Sequence, residues 1–387
     1  MLTRIIKIIA TSIVIFLIYI ALAFASKEII FTKSTENNKE FSSIDEYKNI
    51  KIKDHYKIVF IITEHGAIAD REAGYRILAA CNKLGWETHV FENVDKHQEE
   101  IIKINPDFIF TNKWKSDIGL RNSSLKYKTY ALLAHPTTTY FGNILSFFPE
   151  FKEHKFPEVK LFDGFVISAP HISLFKKYIE NQGTKFYGFR GFSSVQYVDY
   201  KDIEPSQIVY MGVNWDKKRK SDKFSKIFKS LANKKQAVFY GAKESWENLV
   251  GDSYKGYFEG PNGLAVVNLL QQYGISLLLH SNQHIKTSTP SGRIFESSAS
   301  GALGISDMHP FIIENFGNNL LYIDTSKSAE SIISQIENHL IWIKENPNKV
   351  KEMTKNAYEL FVQNYTLEQL LINVAHMHEK ILLDESN

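Results

Sequence analysis

From Tyr56 onward, short apolar runs alternate with longer amphipathic stretches, and this rhythm limits the fold more than any other feature of the sequence. The short runs are rich in β-branched and aromatic residues, which is typical of strands buried in a parallel sheet. The same alternation of short apolar runs and amphipathic stretches begins again after the polar stretch 197–206. The predicted strands are 56–62, 87–92, 106–112, 128–134, 163–168 and 184–189 in the first half, and 207–213, 235–241, 275–281, 302–306 and 320–324 in the second. This order predicts an α/β protein with two facing Rossmann-like domains.

The N-terminus carries eighteen residues, 8–25, without a single charge. At about 1.5 Å per residue a helix of this length spans roughly 27 Å, close to the hydrocarbon thickness of a bilayer. We therefore predict a transmembrane anchor within residues 1–30, with membrane contact through 5–25. A cleaved signal peptide is the alternative, because Ala23-Phe24-Ala25 fits a small-x-small cleavage site. Basic residues flank both ends of the run, so the sidedness stays open.

Composition narrows the remaining possibilities. We predict a polar linker over 31–54, Rossmann-like domains over 55–200 and 201–365, and a C-terminal helix over 366–387, because the chain is too long for one ordinary core. A net charge of +3 is too small to indicate a nucleic-acid partner. The single cysteine, Cys81, excludes an intrachain disulfide and a cysteine-based metal site.

The most informative loop precedes the strand 302–306. Ligands of such sheets bind outside the carboxyl ends of the strands. Here Gly292 closes a tight turn that opens a helix, and Arg293 lies in the first turn, so free N–H groups and a guanidinium suit a diphosphate. Glu296 follows on nearly the same helix face, where its carboxylate can accept both hydroxyls of a ribose. The same spacing also fits an ordinary exposed Arg293–Glu296 pair.

The segment GRIFESSASGALGISD, followed by ENFGNNLLYIDTSKSAESIISQI, resembles the C-terminal domain of two-Rossmann (GT-B fold) glycosyltransferases. It is most similar to the family-1-like group that includes spore-maturation-type enzymes, which share the pattern R-x-F-E-x-x-x-x-G. Tyr365-Thr366 resembles the break before the final helix of that family. The resemblance covers 207–382 by motif and 56–192 by architecture alone. It implies transfer of a sugar from a nucleotide-diphosphate donor.

The resemblance also assigns roles to individual residues. Glu296 would bind the ribose, and Gly292 and Arg293 would lie by the diphosphate. Gly212 would begin the phosphate-side loop, with Lys218 or Arg219 as its basic group, although the run 217–220 fits a solvated basic face equally well.

Two further stretches of the second domain match the family. Tyr257 and Phe258, within KGYFEG, resemble the segment whose backbone reads the base, and Ser281 resembles a serine at the following strand end. One position departs from the family, because many relatives carry a second glutamate seven residues before the ribose-binding one. That position here is Thr289.

The first domain is expected to contribute the acceptor side and the catalytic base. His65 and Gly66 follow its first strand, and His135 ends the strand 128–134. An imidazole titrates near neutral pH and suits a general base, and a glycine lets the backbone approach phosphates. Each histidine also fits an exposed or capping role. We expect His280 to pack at the edge of the second sheet.

The sequence lacks an Asp-x-Asp motif and a set of residues with metal-ligand spacing, so we predict a metal-independent enzyme that needs no cofactor and uses the nucleotide sugar as its donor. The acceptor would be a glycan, a lipid-linked molecule or a protein, and the catalytic domains would be cytoplasmic in a bacterial source. Two alternatives stay open: a two-lobed periplasmic-type binding protein, and a catalytically inactive glycosyltransferase-like scaffold.

Overall fold

A computed structural model describes residues 44–62, 68–112, 125–136, 140, 159–212, 216–257 and 262–387. The predicted anchor and most of the predicted linker lie outside these residues. Among the helices that the structure describes, none combines the length and the apolar character needed to cross a membrane. The anchor at 8–25 therefore stays a prediction.

The first domain contains a six-stranded parallel sheet in the order β2-β1-β3-β4-β5-β6. Its central strands are buried on both faces, as in β1, where Ile58 and Ile61 are fully buried. The strands are β1 Lys57–Ile61, β2 Glu87–Phe91, β3 Phe108–Thr111, β4 Lys128–Leu133, β5 Gly164–Ile167 and β6 Gly188–Arg190, and the helices are α1 Asp45–Lys48, α2 Ile68–Lys83, α3 Gln98–Ile104 and α4 Ile172–Asn181.

The second domain contains a five-stranded parallel sheet in the order β11-β10-β9-β7-β8. The strands are β7 Gln207–Met211, β8 Ala237–Tyr240, β9 Gly274–Leu278, β10 Leu303–Asp307 and β11 Leu321–Ile323. The helices are α5 Asp222–Asn233, α6 Lys243–Val250, α7 Ala265–Tyr273, α8 Asn282–Lys286, α9 Arg293–Ser300, α10 Pro310–Phe316, α11 Ala329–Glu345, α12 Pro347–Asn364 and α13 Leu367–Ser386. Because β9 lies between β10 and β7, the loops after these three strands meet at one edge of the sheet.

The final helix, α13, packs on the first domain. Leu371, Val374 and Met377 are buried in the same hydrophobic cluster as Phe60 and Phe108 of the first sheet. The chain therefore crosses twice between the domains, once before β7 and once before α13.

Every predicted strand overlaps an observed one, and the two parallel sheets confirm the predicted α/β architecture. The largest difference in the first sheet is β6, which occupies 188–190 instead of 184–189. This strand lies at the sheet edge and pairs with β5 alone, so only three residues take part in the ladder.

Candidate functional site

Gly212 follows β7 at the edge where the loops of the second sheet meet. Its φ of 151° is a backbone conformation that residues with a side chain rarely adopt. A β-carbon added there would lie 3.8 Å from the Nη1 of Arg293 and 3.9 Å from the Nη1 of Arg219. Gly212 therefore lies beneath two guanidinium groups, as expected for a loop beside an anion.

Arg293 lies in the first turn of α9, as the sequence predicts. Its Nη1 donates to the carbonyl oxygen of Met211 at 3.2 Å, and its Nη2 donates to that of Leu279 at 2.7 Å. These bonds join the start of α9 to the ends of β7 and β9. The guanidinium thus brings a fixed positive charge to the N-terminus of a helix, where the dipole already favours anions.

Lys218 and Arg219 are held inside the site. The Nζ of Lys218 donates to the carbonyl oxygen of His280 at 2.9 Å and to Asp307 Oδ2 at 3.1 Å, and its side chain is 9% exposed. Arg219 is 5% exposed and bonds Asp216 and the Tyr210 hydroxyl. The interpretation of the run 217–220 as a solvated basic face is therefore wrong for these two residues, whereas Lys217 and Lys220 are exposed.

Asp216 is held as an anion beside Arg219. Burial raises the pKa of Asp216, but the hydrogen bonds and charge of Arg219 outweigh burial and hold this pKa below its usual value. The pair keeps the guanidinium of Arg219 in place next to Gly212.

His280, two residues beyond the central strand β9, is fully buried at the carboxyl edge of the second sheet. Its Nδ1 lies 2.8 Å from Asp307 Oδ1, and its Nε2 lies 3.2 Å from Ser291 Oγ. Sequence reasoning missed Asp307, although a polar residue that ends the buried strand 303–307 was a usable signal.

The ionisation of this pair follows from its surroundings. Burial raises the pKa of Asp307, but the neighbouring His280 and Lys218 outweigh burial and hold this pKa far below its usual value. Burial lowers the pKa of His280 in spite of Asp307. At neutral pH the site therefore holds a charged Asp307 and an uncharged His280.

Two more histidines converge on the carbonyl oxygen of Thr289. His284 Nδ1 lies 2.8 Å from this oxygen and His309 Nε2 lies 3.1 Å from it. Burial lowers the pKa of His284 to about 4 and that of His309 to about 3. Ser281 caps α8 by accepting the N–H of His284. Thr289 itself is fully buried.

Glu296 faces the first domain. Its Oε1 lies 2.8 Å from the Nη2 of Arg76, which belongs to α2, and the two side chains are 12% and 6% exposed. The interpretation as an exposed helix pair with Arg293 is therefore wrong. The predicted ribose-binding carboxylate lies between the domains.

A second contact between the domains lies beside this pair. The carboxylate of Glu72, also in α2, accepts the backbone N–H groups of Asn262 at 2.9 Å, Gly263 at 3.0 Å and Ala265 at 2.9 Å. These N–H groups lie at the N-terminus of α7. One helix of the first domain therefore holds the start of a helix in the second.

The other predicted site residues are either exposed or outside the described part of the chain. His65, Gly66 and Phe258 lie outside the described residues, and Tyr257 is 46% exposed. His135 is exposed, and its backbone N–H donates to the Tyr140 hydroxyl at 3.0 Å. His135 is one of the groups that contribute to the lowered pKa of His284.

In the part of the chain that the structure describes, no group of three or more histidine, cysteine, aspartate or glutamate residues is arranged to hold a metal ion. The roles that the sequence assigns to the site residues stay predictions.

Among known proteins, only solved structures are similar to this chain, and the similarity is one of fold. No family model matches the sequence. No curated protein matches it. Among solved structures, a sucrose-phosphate synthase from Thermosynechococcus elongatus has a TM-score of 0.54 at 13% identity, over 85% of this chain and all of the other.

Two further solved structures are similar over large parts of the chain. A glycosyltransferase from Rickettsia africae has a TM-score of 0.48 at 14% identity, over 85% of this chain and 99% of the other. The GtfA/B complex has a TM-score of 0.44 at 11% identity, and this chain spans 60% of the matched chain. The two parallel sheets and the likeness to the synthase show the two-Rossmann GT-B fold that the sequence predicts.

Proposed function

We propose that this protein is a glycosyltransferase that moves a sugar from a nucleotide-diphosphate donor to a glycan, a lipid-linked molecule or a protein. The observation that carries the proposal is the grouping at the cleft of the second domain. The N-terminus of α9, the guanidinium of Arg293 and Gly212 at the end of β7 meet on one side, and Glu296, paired with Arg76 of the first domain, lies on the other. Arg293 and Glu296 are three residues apart on α9, so the positive groups suit a diphosphate and the carboxylate suits the ribose next to it.

The proposed reaction transfers the sugar to a hydroxyl group of the acceptor. An acceptor hydroxyl attacks the anomeric carbon of the donor sugar, the bond from that carbon to the phosphate oxygen breaks, and the electron pair stays on the leaving diphosphate. Arg293 and the dipole of α9 stabilise the added negative charge, since preformed positive groups act where charge develops. The proton of the acceptor passes to a base of the first domain, and His135, at the end of β4, is the candidate within the described residues. The proposed reaction uses no metal ion.

The acceptor would enter from the first domain. A groove of about 390 Å³ lies beside α2 and is lined by Ile62, Arg71, Tyr75, Leu78, Val90 and Glu92. Tyr75 is 47% exposed. An exposed aromatic ring beside charged groups suits a sugar, which offers an apolar face and hydroxyls.

The anchor predicted at 8–25 would keep the catalytic domains at a membrane surface. In a bacterial source the domains would lie in the cytoplasm, where activated sugars are made. Such tethering favours a membrane-borne acceptor over a freely diffusing one.

Thermal unfolding of the full-length protein with a panel of nucleoside diphosphates tests this function. A ligand at about one hundred times its dissociation constant stabilises the folded protein by about 2.7 kcal/mol. We expect one diphosphate to raise the unfolding temperature, and Glu296→Gln to remove most of the rise. Glu345→Gln is the matched control, because Glu345 is exposed at the end of α11. The absence of any shift across the panel would contradict the proposal.

The two alternatives give different results in the same system. A binding protein would bind a small molecule other than a nucleotide. An inactive scaffold would bind the nucleotide sugar and leave it intact, so free nucleoside diphosphate would not accumulate.

A further inference from the structure

Asp307, His280 and Ser291 form one hydrogen-bonded chain that the proposed donor chemistry does not use. The two contacts are 2.8 Å from Asp307 Oδ1 to His280 Nδ1 and 3.2 Å from His280 Nε2 to Ser291 Oγ. Asp307 and His280 are almost completely buried, whereas Ser291 is half-buried in the turn before α9. The chain thus leads from the interior to the N-terminus of the helix at the proposed diphosphate site.

The hydrogen positions along the chain follow from the bonding of Asp307. Its carboxylate also accepts the backbone N–H of His280 at 2.8 Å and the Nζ of Lys218 at 3.1 Å. An ionised carboxylate can only accept, so His280 Nδ1 carries a hydrogen and donates it to Asp307. In the neutral ring, Nε2 is then an acceptor, and the hydroxyl of Ser291 donates to it. The hydrogen of Ser291 therefore points inward, away from any anion at the start of α9.

Protonation of His280 reverses this direction. With a hydrogen on Nε2, His280 donates to Ser291 Oγ, and the hydroxyl hydrogen is released to donate outward. The charged groups around the ring are Asp307, Lys218 and Arg293, with the neutral His284 and His309 beside it. The two cations oppose a positive ring, and a bound polyanion would offset them.

We propose that Asp307, His280 and Ser291 form a proton relay that couples binding of a nucleoside diphosphate to uptake of one proton. The inference rests on the proposed function and extends it. One proton from solvent adds to His280 Nε2, the Ser291 hydroxyl rotates towards a phosphate oxygen, and no bond between heavy atoms changes. The relay therefore adds one positive charge and one hydrogen bond to the site when the anion is present. The same charge stabilises the diphosphate when it leaves the donor sugar.

Calorimetric titration of the full-length protein with the nucleoside diphosphate that stabilises it tests the relay. Titrations in two buffers with different ionisation enthalpies report the protons taken up on binding. At pH 8 the phosphates of the free ligand are fully ionised, since the second ionisation of a phosphate lies near pH 6. We expect uptake that approaches one proton as the pH is lowered to 7. Between pH 7 and pH 8, each increase of one pH unit should raise the dissociation constant by up to about tenfold.

Ser291→Ala removes the outer member of the relay and leaves the buried pair intact. We expect the affinity to fall by about tenfold to a hundredfold, because a hydrogen bond to a charged group is lost. Ser288→Ala, in the same loop but outside the relay, is the matched control and should bind normally. His280→Gln should bind without proton uptake at any pH. Where His280→Gln fails to fold, the wild-type proton count and Ser291→Ala still decide the question.

The outcomes separate the two proposals. Binding of a nucleoside diphosphate without proton uptake overturns the relay and leaves the proposed function standing. Unchanged affinity in Ser291→Ala also overturns the relay alone. A protein that binds no nucleoside diphosphate overturns both.

Discussion

Glu72 of the first domain binds the start of α7 in the second domain, and we expect this contact to contribute strongly to stability. Glu72 is 1% exposed and accepts three backbone N–H groups of the other domain at 2.9–3.0 Å. Each hydrogen bond to a charged group contributes about 1.5–3 kcal/mol, and the helix dipole adds about 0.3–1 kcal/mol. Because bonds that share one carboxylate are not additive, their sum is an upper limit.

Glu72→Gln keeps the size of the side chain and one acceptor oxygen. It replaces the second oxygen with an NH₂ group that faces backbone donors. We therefore expect a loss of about 2–4 kcal/mol in the free energy of unfolding, since buried donors lose their partner.

Urea unfolding followed by tryptophan fluorescence measures this loss. Trp86 reports on the first domain, and Trp246 and Trp342 report on the second, so the domains can be followed together. Glu345→Gln, at an exposed position, should change the stability by less than about 0.5 kcal/mol. A value for Glu72→Gln as small as that of the control would refute the assignment of Glu72 as a link between the domains.

Three further predictions concern the loops, the final helix and pH. Gly241→Ala should lower the free energy of unfolding, measured in urea, by more than about 3 kcal/mol, because the added β-carbon would overlap the carbonyl oxygen of Gly212. Gly251→Ala is the control: its β-carbon would meet open space, so only the φ of 53° is unfavourable and the loss should be about 1 kcal/mol. Leu371→Ala should destabilise the first domain by about 2–5 kcal/mol on the same assay, and a loss below 1 kcal/mol would show that α13 does not contribute to that core. Burial lowers the pKa of His309 in the folded protein to about 3, below the ordinary value near 6.5. The contribution of His309 to stability is therefore complete above pH 6.5 and is lost as the pH falls towards 3. We expect His309→Gln to flatten the decline in unfolding temperature between pH 6.5 and 4, and an unchanged slope would contradict this.

Much of the fold was predictable because each strand is a short apolar run between polar turns. The strands of both sheets follow from this pattern, and the start of α9 follows from Gly292 and the helix-forming run after it. The short helices α6, α8 and α10 were not predicted. They span five to eight residues, which is too short for a clear helical period.

The partners of the site residues were not predictable in the same way. Glu296 was expected to face solvent or a ribose, yet it pairs with Arg76, which lies in the other domain. His280 pairs with Asp307, which is 27 residues away in sequence. Such contacts depend on the order of the strands and on the docking of the domains, and local patterns carry no information about either.

The most direct test of the glycosyltransferase proposal is the release of nucleoside diphosphate from nucleotide sugars. Full-length protein is incubated with a panel of nucleotide sugars, with and without membrane-derived acceptors, and free nucleoside diphosphate is measured over time. We expect release from at least one nucleotide sugar, with a rate that falls by about tenfold or more in Glu296→Gln and stays normal in Glu345→Gln. No release from any nucleotide sugar, or equal release by wild type and Glu296→Gln, would contradict it.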